Sequence, residues 1–155
     1  MGVYMKYQSV MLVVRNMEKS KEFYKDILNL NVVADFGANI ILTDNIALQE
    51  LDKWREFIDN KEVILNGNDK ELYFEEGNFE EFVEKLENRN INFVHRVIEH
   101  SWGQKAVRFY DLDMHIIEVA EPLKIVIKRF LNSGLSIEEA AKRMDVPVEY
   151  IKNNI

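Results

Sequence analysis

The sequence predicts an α+β fold: two tandem β-α-β-β-β modules followed by a small C-terminal helical segment. Three observations carry this. A strand–helix–strand–strand–strand pattern over residues 9–50 recurs over residues 71–120, with caps and turns in the same order. Gly, Asn and Asp punctuate both copies at matching places. Pro122 then ends the strand pattern, and helical spacing takes over.

Residues 9–14, SVMLVV, are β-rich and apolar, as a buried strand requires. Asn16 suits an N-cap, and Met17, Ser20, Phe23, Tyr24, Ile27 and Leu28 follow at helical spacing. Asn29-Leu30-Asn31 ends that helix. Residues 32–36, 39–43 and 46–50 read as short strands, parted by turns at Gly37 and at Asp44-Asn45. Residues 51–59 place Leu51, Trp54, Phe57 and Ile58 on one helical face, and Asn66-Gly67-Asn68-Asp69 reads as a loop.

The pattern then restarts. Residues 71–76 make a strand, Asn78 caps a helix with Phe79, Phe82, Val83 and Leu86 on its apolar face, and residues 91–99, 105–110 and 115–120 are strands. At an offset of 62, Ser9 falls on Glu71, Leu12 on Phe74, Asn16 on Asn78 and Met17 on Phe79; toward the module ends the offset becomes 69, with Asp44 on Asp113 and Gln49 on Glu118. A duplicated ancestral unit explains this register most simply. The modules span about 7–51 and 70–121, so residues 1–121 form one domain and 122–155 an extension.

The chain has no cysteine, which excludes disulfides, thiolate metal sites and a Cys nucleophile. The N-terminal stretch MGVYMKYQSVMLVV is broken by Arg15 and reads as a strand rather than a leader. No run approaches the ~18 apolar residues of a membrane span, so a cytoplasmic location is expected. Net charge is −7 and unevenly placed: residues 122–155 carry six basic against four acidic residues, leaving −9 for the rest. An acidic main domain argues against a nucleic-acid surface there, and the Glu-rich helix faces read as solvated.

The stretch Val10-Met-Leu-Val-Val-Arg-Asn-Met-Glu-Lys-Ser20-Lys-Glu-Phe-Tyr24, leaving through Leu28-Asn29-Leu30, resembles the opening signature of the vicinal oxygen chelate superfamily, the glyoxalase/bleomycin-resistance/dioxygenase group. Asn29 stands where Gly is usual. Trp102-Gly103-Gln104 and Phe109-Tyr-Asp-Leu-Asp-Met-His-Ile-Ile-Glu-Val119 resemble the closing hairpin of that family, with Leu112 in place of its Pro and Met114 in place of its Gly. The resemblance spans about residues 7–121. It implies a curved, open mixed sheet around a cavity, frequent assembly as a homodimer, and chemistry on one divalent metal that chelates two substrate oxygens.

The positions that hold the metal in this family correspond here to Ser9, Gln49, Glu71 and Glu118. Strand parity agrees: Glu118 shares a face with Ile116, and Gln49 with Ala47. Of the divalent ions expected there, Mg, Mn, Zn, Ni or Fe, this oxygen-only set of two carboxylates, an amide and a hydroxyl suits Mg or Mn better than Zn or Fe. No His falls on a ligand position, so a metal-free cavity is the preferred reading. Glu71 and Glu118 facing each other without a cation would raise one pKa and could form an acid–base couple.

Tyr73 shares the face of Glu71, and His100 and Trp102, with Gln104, sit in the loop that shapes the pocket in this family; the three are the expected cavity lining. His95 reads as a surface or core residue, His115 as structural, and Arg108 as the partner of an acidic residue. In the extension, residues 123–132 read as a helix with Gly134 as its stop. Ser136-Ile-Glu-Glu139 is a capping box, and the segment 135–151 resembles a helix-turn-helix. Its second helix holds one basic residue, Lys152, too little for phosphates, so docking on the sheet domain or a partner is preferred over DNA. The functional expectation is a protein binding a small metabolite: a metal-dependent lyase, isomerase or dioxygenase in the manner of lactoylglutathione lyase, or a metal-free protein that sequesters a drug or toxin, or a ligand-sensing regulator.

Overall fold

The computed structural model describes residues 4–155. The leader-free reading of the N-terminus rests in part on residues 1–3, which lie outside the described residues. Residues 4–9 precede the first strand without regular structure. The elements are β1 (Val10–Val14), α1 (Met17–Leu28), β2 (Val32–Asp35), β3 (Asn39–Leu42), β4 (Ile46–Glu50), α2 (Leu51–Phe57), β5 (Glu71–Glu75), α3 (Phe79–Glu87), β6 (Asn92–Glu99), β7 (Lys105–Tyr110), β8 (Ile116–Ala120), α4 (Leu123–Asn132), α5 (Ile137–Met144) and α6 (Val148–Lys152). Among the described residues no helix is long and apolar enough to cross a membrane.

The strands form two four-stranded mixed sheets, ordered β1-β4-β3-β2 and β5-β8-β7-β6. In each, the first strand runs parallel to the last, β1 to β4 and β5 to β8, and the other pairs are antiparallel. This is the expected pair of β-α-β-β-β modules. One compact unit holds the residues up to Lys70 together with Asp111–His115; the other holds Glu71–Tyr110 and Ile116–Ile155.

In the first unit, one sheet face supplies Leu12, Val14, Ile40, Leu42, Ile46 and Leu48, and α1 supplies Tyr24 and Ile27, all buried. The period-2 strand pattern and the 3.6-period helix pattern therefore meet in one core. Asn16 caps α1 through its side chain, which accepts from the Lys19 amide, and Asn29 ends the helix with φ +56. That left-handed turn is the one for which the family uses Gly, and Asn tolerates it next best. In the second unit Leu86, Phe79, Val107, Phe109, Ile117 and Val119 are the buried counterparts. Asn78 occupies the N-cap of α3 without a side-chain cap bond; instead the Glu76 carboxylate accepts from the Asn78 amide at 2.8 Å.

The extension belongs to the second unit. Val126, Ile127, Ala141, Met144 and Ile151 make a small core of their own, and Trp102, Phe130 and Leu123 pack against it. The capping box forms in full: Ser136 Oγ accepts from the Glu139 amide, and Glu139 accepts from the Ser136 amide. Glu121, buried at the end of β8, receives both guanidinium nitrogens of Arg129 at 2.6 and 3.0 Å and fastens α4 to the sheet.

Candidate functional site

The antiparallel hairpin β7–β8 is centred near Asp113, so Arg108 pairs directly with Glu118. The parallel rung puts Tyr73 beside Glu118, and the β6–β7 ladder puts His95 beside Arg108. Directly paired residues share a sheet face. The backbone thus lays out one row across the second sheet, Tyr73–Glu118–Arg108–His95, with Glu71 two residues from Tyr73 on the same face.

Arg108 is the hub of this row. Its Nε donates to Glu71 Oε2 at 2.8 Å, and its Nη2 donates to Glu118 Oε2. Its Nη1 lies 3.2 Å from His95 Nε2. A guanidinium only donates, so His95 Nε2 accepts and Nδ1 carries the hydrogen. That fits the second contact of the ring, Nδ1 to the Arg96 carbonyl at 2.7 Å. The Glu118 side chain is only 6% exposed. Burial pushes its carboxyl up to about 7, with the hydrogen-bonded Glu71 carboxyl adding to the rise against the pull of Arg108. Glu71 moves the other way: Arg108 donates to it and holds it below the usual carboxylate value, with burial opposing. The two carboxyls form one coupled pair rather than independent acids.

A second network adjoins this face. Gln104, buried, donates through Nε2 to the Tyr73 hydroxyl at 3.1 Å and to the Glu121 carbonyl at 2.7 Å, while its Oε1 accepts from Trp102 Nε1 at 2.9 Å. Tyr73 remains 49% exposed. The His100 ring stacks on Trp102 with centroids 4.2 Å apart. Burial, then the charge of Arg108, lowers the pKa of His100. Tyr73 and Trp102 therefore meet around one amide, and His100 joins them through its stack on Trp102, which is also packed on the helical extension.

The first-module residues lie in a different setting. Gln49 is 1% exposed and satisfied at both ends: Oε1 accepts from Asn39 Nδ2 at 3.1 Å, and Nε2 donates to the Ala38 carbonyl at 2.8 Å. Its rung in β1 is Val13. Ser9 precedes β1, four residues from that rung, or ~13 Å along a strand. The offset of 62 therefore does not carry through the ladder: the rung matching Glu71–Ile116 is Met11–Ala47, not one with Ser9.

The donors present do not suit a divalent metal. Glu71 and Glu118 are bridged by a fixed cation, Gln49 has both ends bonded, and Ser9 lies rungs away from Gln49. Among the described residues no group of three or more His, Asp or Glu is placed to hold an ion.

His115 has a structural setting in the first unit. Asp111 is buried and accepts from the Tyr24 hydroxyl at 2.7 Å, with His115 Nδ1 2.8 Å away. Burial works to raise the Asp111 carboxyl, but His115 and Tyr24 hold it below its ordinary value. Burial, then Asp111, drives the Tyr24 phenol well above its ordinary value. Sequence reasoning took Arg108 as a plain ion-pair partner and His95 as a surface or core residue, and did not reach Glu121 or Arg129. Hairpin symmetry about Asp113 is the signal that would have paired Arg108 with Glu118.

Comparison with known proteins agrees with this architecture. The family model described as a glyoxalase-like domain matches residues 7–124, and the chain belongs to that family. Residues 125–155 lie beyond the match. A protein of unknown function from Agrobacterium tumefaciens is similar at TM-score 0.70 and 28% identity, over 78% of this chain and 97% of that one. A glyoxalase-related enzyme from Fulvimarina pelagi shares the fold at TM-score 0.67 and 17% identity, over 77% and 90%. The fosfomycin resistance protein of Listeria monocytogenes shares it at TM-score 0.58 and 16% identity, over 77% and 95%. No curated protein matches the chain.

Proposed function

We propose that this glyoxalase-like protein binds a small, polar or amphipathic molecule on the charged face of its second sheet. The observation that supports this reading is the row Tyr73–Glu118–Arg108–His95, flanked by the stacked His100–Trp102 pair. Tyr73 is a half-exposed side chain whose hydroxyl bonds Glu75 and Gln104, His100 and Trp102 give a flat aromatic wall, and the buried Gln104 fixes the positions of Tyr73 and Trp102. An apolar wall with a few convergent polar groups is the usual form of a small-molecule site. One structural neighbour is named a fosfomycin resistance protein, so antibiotics belong in the ligand set with small carbonyl and hydroxy acids.

The test is a thermal-shift screen of those two classes, repeated on Tyr73→Ala and His100→Ala. A ligand at ~100 times its Kd should raise the Tm by about 5 °C in the native chain and much less in both variants. Shifts that are equal in all three proteins would move the binding site elsewhere.

A further inference from the structure

We infer that the Arg108 guanidinium is the resident cation of this site and that it excludes a divalent metal from the Glu71–Glu118 pair. The inference takes its location from the binding reading above, but its test needs no ligand.

Three features of the second sheet support it. The cation is held by the backbone: residues 108 and 118 are a direct cross-strand pair, so the guanidinium lies over the carboxylates through strand register rather than by a chance rotamer. Its donors are also engaged in three directions, Nε to Glu71, Nη2 to Glu118 and Nη1 to His95. Finally, Glu118 is almost closed to solvent, and a hydrated ion would have to displace the guanidinium to reach it. A divalent ion entering beside Arg108 would meet a like charge at short range in a half-buried setting, where screening is weak. Gln49 is closed by Asn39 and Ala38, and Ser9 stands rungs away from it.

The consequence is specific. Removing the guanidinium leaves two adjacent carboxylates, hard oxygen donors of the kind Mn²⁺ accepts. Mn²⁺ binding is measured by electron paramagnetic resonance titration and equilibrium dialysis at neutral pH. The proteins are the wild type, Arg108→Gln, Arg108→Lys, Glu118→Gln and the Arg108→Gln/Glu118→Gln double variant, each checked for folding by circular dichroism. The wild type and Arg108→Lys should bind Mn²⁺ weakly. Arg108→Gln should bind it at least about tenfold more tightly, and the double variant should lose that gain. Arg108→Ala serves as the second neutral variant if Arg108→Gln folds poorly. Two results would overturn the inference: stoichiometric metal in the wild type that Glu118→Gln removes, or equal affinity in the wild type and both neutral variants. A failed ligand screen alone would count against the binding reading and leave this result intact.

Discussion

The two modules repeat one ladder and use it for opposite ends. Their hairpins superpose at an offset of 69, which places Asn39–Gln49 of the first sheet on Arg108–Glu118 of the second. In the first, two neutral amides bond to each other and to Ala38, and the position is sealed. In the second, the same pair is charged and joins Glu71, His95 and Tyr73 on an accessible face. The turns before these hairpins diverge in parallel. Gly37 and Gly103 both have positive φ, +80 and +86, but nothing approaches Gly37, whereas the Phe130 ring of the extension lies over Gly103. Phe36 beside the first turn is 73% exposed, while Trp102 beside the second is packed on the extension. Duplication supplied a scaffold, and only one copy was developed into a polar face, with helices packed on the turn beside it.

The turns give the largest test of that contrast. Gly103→Ala must carry backbone strain and push its methyl group into Phe130, so it should cost about 3 kcal/mol or more. Gly37→Ala has the strain alone and should cost about 1 kcal/mol. Urea unfolding of both variants checks this. Equal losses would mean that the extension does not press on the second turn.

The paired positions come next. Arg108→Asn leaves the buried Glu118 without its cation and should cost about 2 kcal/mol. Adding Glu118→Gln installs the first module's amide pair and should restore most of the loss, because both partners then change together. A double-mutant cycle reads the coupling, and a value below ~0.5 kcal/mol would break the equivalence of the two pairs.

Charge also gives the second pair a pH dependence that the first cannot have. The Glu118 carboxyl rises from an ordinary 4.5 to about 7 on folding. Its contribution to stability is therefore fully present below about 4.5 and is lost as pH rises through about 7. Glu71, held low, acts in the opposite sense, its contribution being lost as pH falls below the ordinary carboxylate range. Unfolding free energies between about pH 5 and 8 should thus slope downward in the wild type relative to Glu118→Gln. A variant whose slope matches the wild type would remove Glu118 as the titrating group.

Much of this was legible in the sequence because it rests on local rules. Asn16, Asn29, Ser136 and Gly134 stand at helix ends where capping chemistry puts them, and alternation picked out every strand to within a residue or two. The site was read less completely. Glu71, Glu118 and Tyr73 could be placed on one face by parity, but their bridge through Arg108 depends on which residues the hairpin opposes. The sealing of Gln49 by Asn39 depends on the same register. Ser9 was aligned with Glu71 by counting from the helix cap, yet the ladder shifts the first strand by two residues. Glu121 and Arg129 meet only because the Arg129 side chain reaches from α4 to the residue that follows β8, a contact no periodicity encodes.

The smallest expected effect lies in the hairpin tips. Offset 69 places Asn45 on Met114, and both have left-handed backbones, φ +58 and +70. Asn is enriched in that conformation among residues with a side chain, and Met is not. The second tip is nonetheless held. Asp111 Oδ1 accepts from the amides of Asp113 and His115 at 2.9 and 2.8 Å, and the Met114 amide reaches the Asp111 carbonyl at 3.3 Å. Asp111 therefore fixes the turn that the family makes with Gly, and Met114 is strained within it. Met114→Asn should stabilise the protein by about 0.5 kcal/mol, and Asn45→Met should destabilise it by a similar amount. Urea midpoints at an unchanged slope would show both. A loss on Met114→Asn would mean that the packing of the methionine side chain outweighs its backbone strain, and the two tips would then differ in kind.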